Sequence, residues 1–226
     1  MVMPSLNDLA RAFALLSNLQ VVLGLLLVVG VLVLVADWRF SLIALAGQYL
    51  LVAIVLSTLI PLPIAAVRMI AGGLVALMFY LTARRVQPRR GGRRNRAAQG
   101  AGEFDAPRAI FWTNLPFRMV GLALVAVGVV AIGDQFVLLN APTVFWVTGL
   151  WLALGGLLAI ALTRDALKLG MGLLFFTSGF GIIYLSIDTS LIIYALLVVA
   201  DLVIALAISH IAIVPPQFEG KRRGEM

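Results

Sequence analysis

The sequence contains no cysteine and a single histidine, so this chain cannot form a disulfide, a thiolate metal site or an iron–sulfur ligand set. Any electron carrier would have to belong to a partner, and no cofactor is expected here. Charge is scarce as well: Asp, Glu, Lys and Arg make up 12% of the residues against 62% that are apolar, with a mean hydropathy of +1.09. That balance lies far outside soluble globular domains and identifies an integral membrane protein. The apolar runs also lack the period-two alternation of outer-membrane strands. The spans are therefore helices.

Apolar stretches of about 17 to 25 residues cross the roughly 30 Å hydrocarbon layer as helices. The sequence predicts seven, near 20–36, 41–60, 62–83, 118–133, 143–162, 167–187 and 190–214. The expected fold is all-α, a polytopic membrane helix bundle. The first nineteen residues read as a short amphipathic lead-in rather than a cleavable signal, because Asp8 offsets Arg11 and no small-x-small cleavage site follows.

Basic residues near helix ends are retained on the cytoplasmic side. Fifteen of the seventeen fall on one side: Arg39, eight from Arg84 to Arg108, Arg118, Arg164, Lys168, and Lys221, Arg222 and Arg223. The opposite connections, Pro61-Leu-Pro63, Gly133 to Thr143 and Asp188-Thr-Ser190, carry none. This distribution predicts N-terminus out and C-terminus in, for a multi-pass protein of the cell (inner) membrane. Arg11 and Arg68 are the exceptions.

The chain divides into a three-helix membrane unit (1–83), an arginine-rich cytoplasmic linker (84–117), a four-helix membrane unit (118–214) and a basic tail (215–226). The linker is too charged and glycine-rich to bury a core, so disorder is expected there. Its Arg84, Arg85, Arg89, Arg90, Arg93, Arg94 and Arg96 suit anionic lipid headgroups at the membrane surface and also act as topology determinants. No aromatic interleaves them, which argues against a nucleic-acid partner. The two outer helix triplets run in the same sense. Asp37-Trp-Arg39 and Arg164-Asp165 occupy matching turns, each followed by a helical glycine, Gly47 and Gly172, as in a parallel internal repeat.

Polar residues at membrane depth are few. Asp201 alone among the ten acidic residues lies deep in an apolar run, Leu191 to Ile208. At 1.5 Å per residue it lies near the midplane. Thr177 and Ser178 on helix six come out about level with it. Ionisable groups at such depth are costly and mark functional sites by default. Arg68 sits higher, about 22 Å from the inner end of helix three, and either reaches down to Asp201 or snorkels outward. Gln48 and Tyr49 are uncharged companions on helix two. Gly170, Gly172, Gly179 and Gly181 leave room on helix six for close helix approach or for water. His210 is placed for proton entry at the inner end of helix seven. Asp201, Arg68, Thr177, Ser178 and His210 thus form the candidate proton or ion path.

Catalytic patterns fail. Phe176-Thr-Ser178-Gly179 with His210 lacks the first glycine of the intramembrane serine protease motif, and Ser178 and His210 lie at different depths. No phosphate-binding glycine loop or histidine metal cluster occurs. Catalysis by this chain alone is not expected.

The run Arg164-Asp-Ala-Leu-Lys168-Leu-Gly-Met-Gly172-Leu-Leu-Phe-Phe-Thr177-Ser-Gly179, a short turn, then Ala200-Asp201-Leu-Val-Ile-Ala-Leu, resembles the C-terminal half of membrane component E of the group-four, formate-hydrogenlyase type hydrogenases. That component is related to the K-type subunit of respiratory complex I and to the C-type subunit of the multisubunit sodium/proton antiporters. Asp37-Trp-Arg39-Phe, Arg68 where a lysine is expected, and Ala83-Arg84 extend the resemblance through the first half. It implies seven helices with the last three like the K-type subunit, other integral membrane subunits as partners, and proton translocation coupled to a membrane-bound oxidoreductase. One residue departs: where the family has a glutamate in helix six, Thr177 stands here. The path would then rely on Asp201, or the chain would be a non-pumping assembly subunit. A small-solute transporter using Arg68 and Asp201 as counter-ions, or a membrane anchor, are the other readings.

Overall fold

The computed structural model describes residues 18–35, 37–58, 60–100, 108–133, 143–163, 165–188 and 190–213. Among them are seven α-helices and no strand: α1 (Asn18–Leu34), α2 (Trp38–Leu56), α3 (Leu62–Gly100), α4 (Arg108–Gly133), α5 (Thr143–Leu162), α6 (Ala166–Ile187) and α7 (Leu191–Ile213). Six are long and apolar enough to span a bilayer. The apolar part of α1, Gln20–Leu34, is shorter than the others, and at 1.5 Å per residue it covers about 22 Å.

Local chemistry sets the breaks. Asp37 and Asp165 both adopt extended backbone and begin the next helix; the Asp165 carboxylate accepts from the Leu167 N–H, while Ser41 Oγ donates to the Asp37 carbonyl. Pro61 starts α3: its carbonyl accepts from Ile64 and Ala65, and Pro63 lies in the first turn, where a missing N–H costs nothing. Pro116 lies inside α4, beside the start of that helix's apolar span, Leu115–Ile132.

Two boundaries differ from the sequence reading. The helix of α3 runs on to Gly100 where disorder was expected, and α4 begins at Arg108 rather than 118. A helix satisfies its backbone internally and needs no core, and Arg, Ala and Gln are strong helix formers. The rest of the linker, 101–107, and the basic tail lie outside the described residues, as does the lead-in before Asn18.

Packing follows a pattern that a parallel repeat would produce. Each helix of the first triplet touches its counterpart in the second: α1 on α5, α2 on α6, α3 on α7. The offset of 128 residues separating Asp37 from Asp165 also separates Leu34 from Leu162 and Tyr49 from Thr177. Helices α2 and α6 are central, each with 56% of its span buried in the bundle, whereas α4 has 6% and presents Leu124, Val127 and Val130 outward. In a bilayer such faces meet lipid tails, which are as apolar as leucine.

The tightest crossing, α5 on α6, is made by glycines. A Cβ on Gly172 would lie 2.9 Å from the Gly156 carbonyl oxygen, and one on Gly156 2.5 Å from that of Gly172. A Cβ on Gly179 would collide with the Gly149 carbonyl and the Ala153 backbone. Small residues let the backbones approach and gain dispersion contacts that lipid cannot replace. Close approach, rather than room for water, is what Gly172 and Gly179 provide. Gly170 admits Ile208 of α7 and Phe79 of α3.

Candidate functional site

Four helices converge on one carboxylate. Asp201, 2% exposed, lies ten residues into α7, about 15 Å along the helix. Its Oδ1 accepts from Thr177 Oγ1 of α6 at 2.7 Å. Its Oδ2 accepts from the Tyr49 hydroxyl of α2 at 3.2 Å and faces Arg68 Nη2 of α3 at 3.3 Å. The same Nη2 donates to Ser178 Oγ of α6 at 2.8 Å. Arg68 is 1% exposed, so it turns inward to Asp201 and does not snorkel. Its guanidinium carbon lies 5.7 Å from the centroid of the Tyr49 ring and 5.9 Å from that of Tyr194 on α7, within the range of cation–π attraction.

Each contact has a local cause. Thr177 and Ser178 are consecutive on α6, so they project about 100° apart and reach different partners, Asp201 and Arg68. The Leu174 carbonyl also lies 3.1 Å from Thr177 Oγ1, but the shorter contact is to the carboxylate. Tyr49 can reach across because Gly72 faces it: a Cβ on Gly72 would overlap the Tyr49 ring.

The network is electrically neutral but incompletely satisfied. Both amide atoms of Gln48 are buried without a hydrogen-bond partner, whereas the Tyr194 hydroxyl lies within hydrogen-bonding reach of Arg68. Gln48 is fully buried on α2. Burying such groups unpaired costs about 1 to 3 kcal/mol each by mutational measures. Removing either member of the ion pair would strand a charge in the interior, which costs about 3 to 5 kcal/mol.

The structure thus brings together Asp201, Arg68, Thr177 and Ser178. It does not bring His210, which is exposed on α7 nine residues beyond Asp201, about 13 Å along the helix. Tyr49 and Tyr194 join the cluster although the sequence marked Tyr49 only as a companion and passed over Tyr194. The signal for Tyr49 was its 128-residue offset from Thr177. Tyr194 carried a weaker one, lying seven residues before Asp201 and so on the same face of α7.

A second polar layer lies at the basic end of the bundle. Lys168 Nζ donates to the Val35 carbonyl at 2.6 Å and Arg118 Nη1 to that of Val33 at 3.0 Å. These are carbonyls at the C-terminal end of α1, which have no intrahelical donor and attract cations. Both side chains are half-buried and border a small crevice with Leu32, Ala159, Leu162 and Thr163. Among the surface arginines, Arg84 and Arg85 are exposed, and Arg84 lies 5.6 Å from the Tyr80 ring centroid. The side chains of Arg89, Arg90, Arg93, Arg94 and Arg96 lie outside the described residues. Among the described residues no group of three or more His, Cys, Asp or Glu could hold a metal ion.

An all-helical bundle with six bilayer-length apolar helices and an intramembrane ion pair defines the class: a multi-pass helical membrane protein. No family model, curated protein or solved structure matches the chain.

Proposed function

We propose that this chain is a membrane subunit of a complex-I-like, hydrogenase or multisubunit antiporter assembly, in which Asp201 contributes to a proton or cation path. The observation that carries this reading is the 2.7 Å contact between Thr177 Oγ1 and Asp201 Oδ1. Members of the resembled hydrogenase component family have a glutamate where Thr177 stands. Here the carboxylate belongs to the neighbouring helix and touches that same position, so a protonatable group persists at that depth. Protons would move through the polar cluster while redox chemistry in soluble partners drives the change. The chain would not be catalytic alone.

Its partners on this reading are other integral membrane subunits, with anionic lipid headgroups at the arginine-rich end of α3 and no nucleic acid. The cell (inner) membrane would hold it with the N-terminus out. Because the chain lacks cysteine, a single cysteine introduced at Gln99 reports orientation cleanly. Impermeant reagent should label it only after the membrane is opened; labelling from outside intact cells would reverse the topology.

The deciding test is Asp201→Asn in the purified complex reconstituted into liposomes. Normal assembly with depressed proton coupling supports the path. Full coupling in a normally assembled variant would leave the carboxylate a structural role. One observation favours that second reading, an anchor or assembly subunit: Arg68 and Asp201 neutralise each other at 3.3 Å, which is also what a purely structural pair must do. A solo small-solute transporter predicts recovery without partners in mild detergent and solute uptake that requires Arg68.

A further inference from the structure

Two cations lie inside apolar spans at the basic end of the bundle, away from the Asp201 cluster. Arg118 is the fourth residue of the α4 span Leu115–Ile132, and Lys168 the third of the α6 span Ala166–Ile187. Both are half-buried and border one crevice, walled by Leu32 and Val33 of α1 and by Ala159, Leu162 and Thr163 at the end of α5. Each donates to a carbonyl of α1, Lys168 to Val35 and Arg118 to Val33. A carbonyl offers a dipole and no charge, while an ammonium carries three N–H bonds and a guanidinium five.

The charge around the crevice is unbalanced. Arg118 and Lys168 are close enough to repel each other. The carboxylates of Asp37 and Asp165 attract Lys168, each less strongly than Arg118 repels it, and Asp165 also caps α6 through the Leu167 N–H. By sequence, the turns at this end set Arg39, Arg118, Arg164 and Lys168 against Asp37 and Asp165, four positive charges against two negative. The surplus suits an anion. Helix α1 adds a reason for that anion to come from lipid: its apolar part, Gln20–Leu34, covers about 22 Å of a hydrocarbon layer about 30 Å thick. A short span is accommodated by local thinning of the bilayer, which draws headgroups inward. The cations at the last carbonyls of α1 put that recess at this end.

We propose that Arg118 and Lys168 bind the phosphate of an anionic phospholipid, whose headgroup sits in the recess at the end of α1. The crevice itself is about 10 Å³, close to the space one water-sized sphere fills, so one phosphate oxygen enters and the rest of the headgroup stays at the mouth. Thr163 Oγ1 accepts from the Asp165 N–H at 3.3 Å, which leaves its own proton to donate to that oxygen. The acyl chains then follow α4, where Phe117, Val120 and Leu124 are exposed. Basic pockets between helices at the cytoplasmic side recognise anionic headgroups in this way. The site differs from the exposed arginines of α3 in being built between helices, and it does not depend on the proton-path reading.

Native mass spectrometry of the full chain in detergent micelles tests it, with phosphatidylglycerol or phosphatidylcholine added. Both lipids carry a phosphate, but the choline cancels its charge. Phosphatidylglycerol should stay bound at collision energies that strip phosphatidylcholine. Arg118→Gln and Lys168→Gln remove charge yet leave an N–H for the α1 carbonyls; each should weaken retention about fivefold, and the two together about 25-fold. Should the double variant fold poorly, the single variants carry the test. Arg84→Gln with Arg85→Gln removes the same charge from exposed positions and should change nothing. Equal retention of the two lipids by the native protein, an equal loss in the Arg84 and Arg85 variant, or no loss in folded Arg118 and Lys168 variants would overturn the site. Inorganic phosphate in large excess should leave the lipid in place; displacement by it would make the occupant a free phosphate and overturn the lipid assignment.

Discussion

Helices α1–α3 bring a phenol and a guanidinium to the centre of the bundle, Tyr49 and Arg68, whereas α5–α7 bring a carboxylate and two hydroxyls, Asp201, Thr177 and Ser178. The two halves share their helix order, their capping aspartates and their mutual packing, yet neither carries a balanced set of charges at depth. A positive and a negative half have to meet for either to be stable in hydrocarbon. The contrast extends to the helix seams. Within the second half α5 and α6 touch backbone to backbone through glycine; in the first half Gly24 of α1 packs instead against the flexible end of Leu51 on α2.

The most damaging way to break this complementarity is to leave one half's charge alone. Asp201→Leu strands Arg68 and should cost about 3 to 5 kcal/mol, read as loss of folded protein in graded SDS unfolding. The double variant Arg68→Leu with Asp201→Leu should recover most of that loss, because an apolar pair of similar volume is often neutral. A double variant as unstable as the single would mean that the guanidinium is stabilised by something other than Asp201.

Next comes the glycine seam. Gly179→Ala forces a methyl against the Gly149 carbonyl and the Ala153 backbone, and overpacking of this kind costs about 1 to 3 kcal/mol. The same readout checks it.

Tyr49→Phe and Thr177→Val each remove one hydrogen bond to Asp201, one from each half. Each should cost about 0.5 to 1.5 kcal/mol. Equal losses would sharpen the equivalence of the two positions, and a loss confined to Thr177→Val would mean that the 3.2 Å tyrosine contact contributes little.

The smallest effect is expected at Gly73, where an added Cβ meets nothing. Gly73→Ala should be neutral or stabilising by up to about 1 kcal/mol, since glycine is the poorer helix former.

Much of this was visible in the sequence. Asp201, Arg68, Thr177 and Ser178 stood out because hydrocarbon tolerates so few polar groups, and depth along each helix follows from a fixed rise. The seven helices were visible for the same reason, as runs of apolar residues between charged turns. What stayed hidden depends on which way a residue faces. Tyr49 belongs to a residue type common near membrane surfaces, and only the neighbouring Gly72 opens its route to Asp201. Tyr194 gave only its spacing from Asp201. His210 shares a helix with Asp201 yet ends up exposed, because spacing along one helix does not say what packs around it. The extension of α3 to Gly100 was missed because low apolar content rules out a core, not a helix.

The split of charge between the halves also orders events during synthesis. Arg68 leaves the ribosome 133 residues ahead of Asp201, which at about 5 to 20 residues per second is a delay of about 7 to 27 s. Throughout that interval the nascent chain holds an arginine within an apolar segment, a burden below the roughly 2.5 to 3.5 kcal/mol that applies at the centre of an inserting helix. Arg68 is six residues from the start of α3, close enough for its long stem to keep the charge at the interface meanwhile. The carbonyls of Val33 and Val35 wait likewise for Arg118 and Lys168. The polar groups that the first three helices leave unmatched thus find their partners on helices made later, Arg118 on α4, Lys168 on α6 and Asp201 on α7.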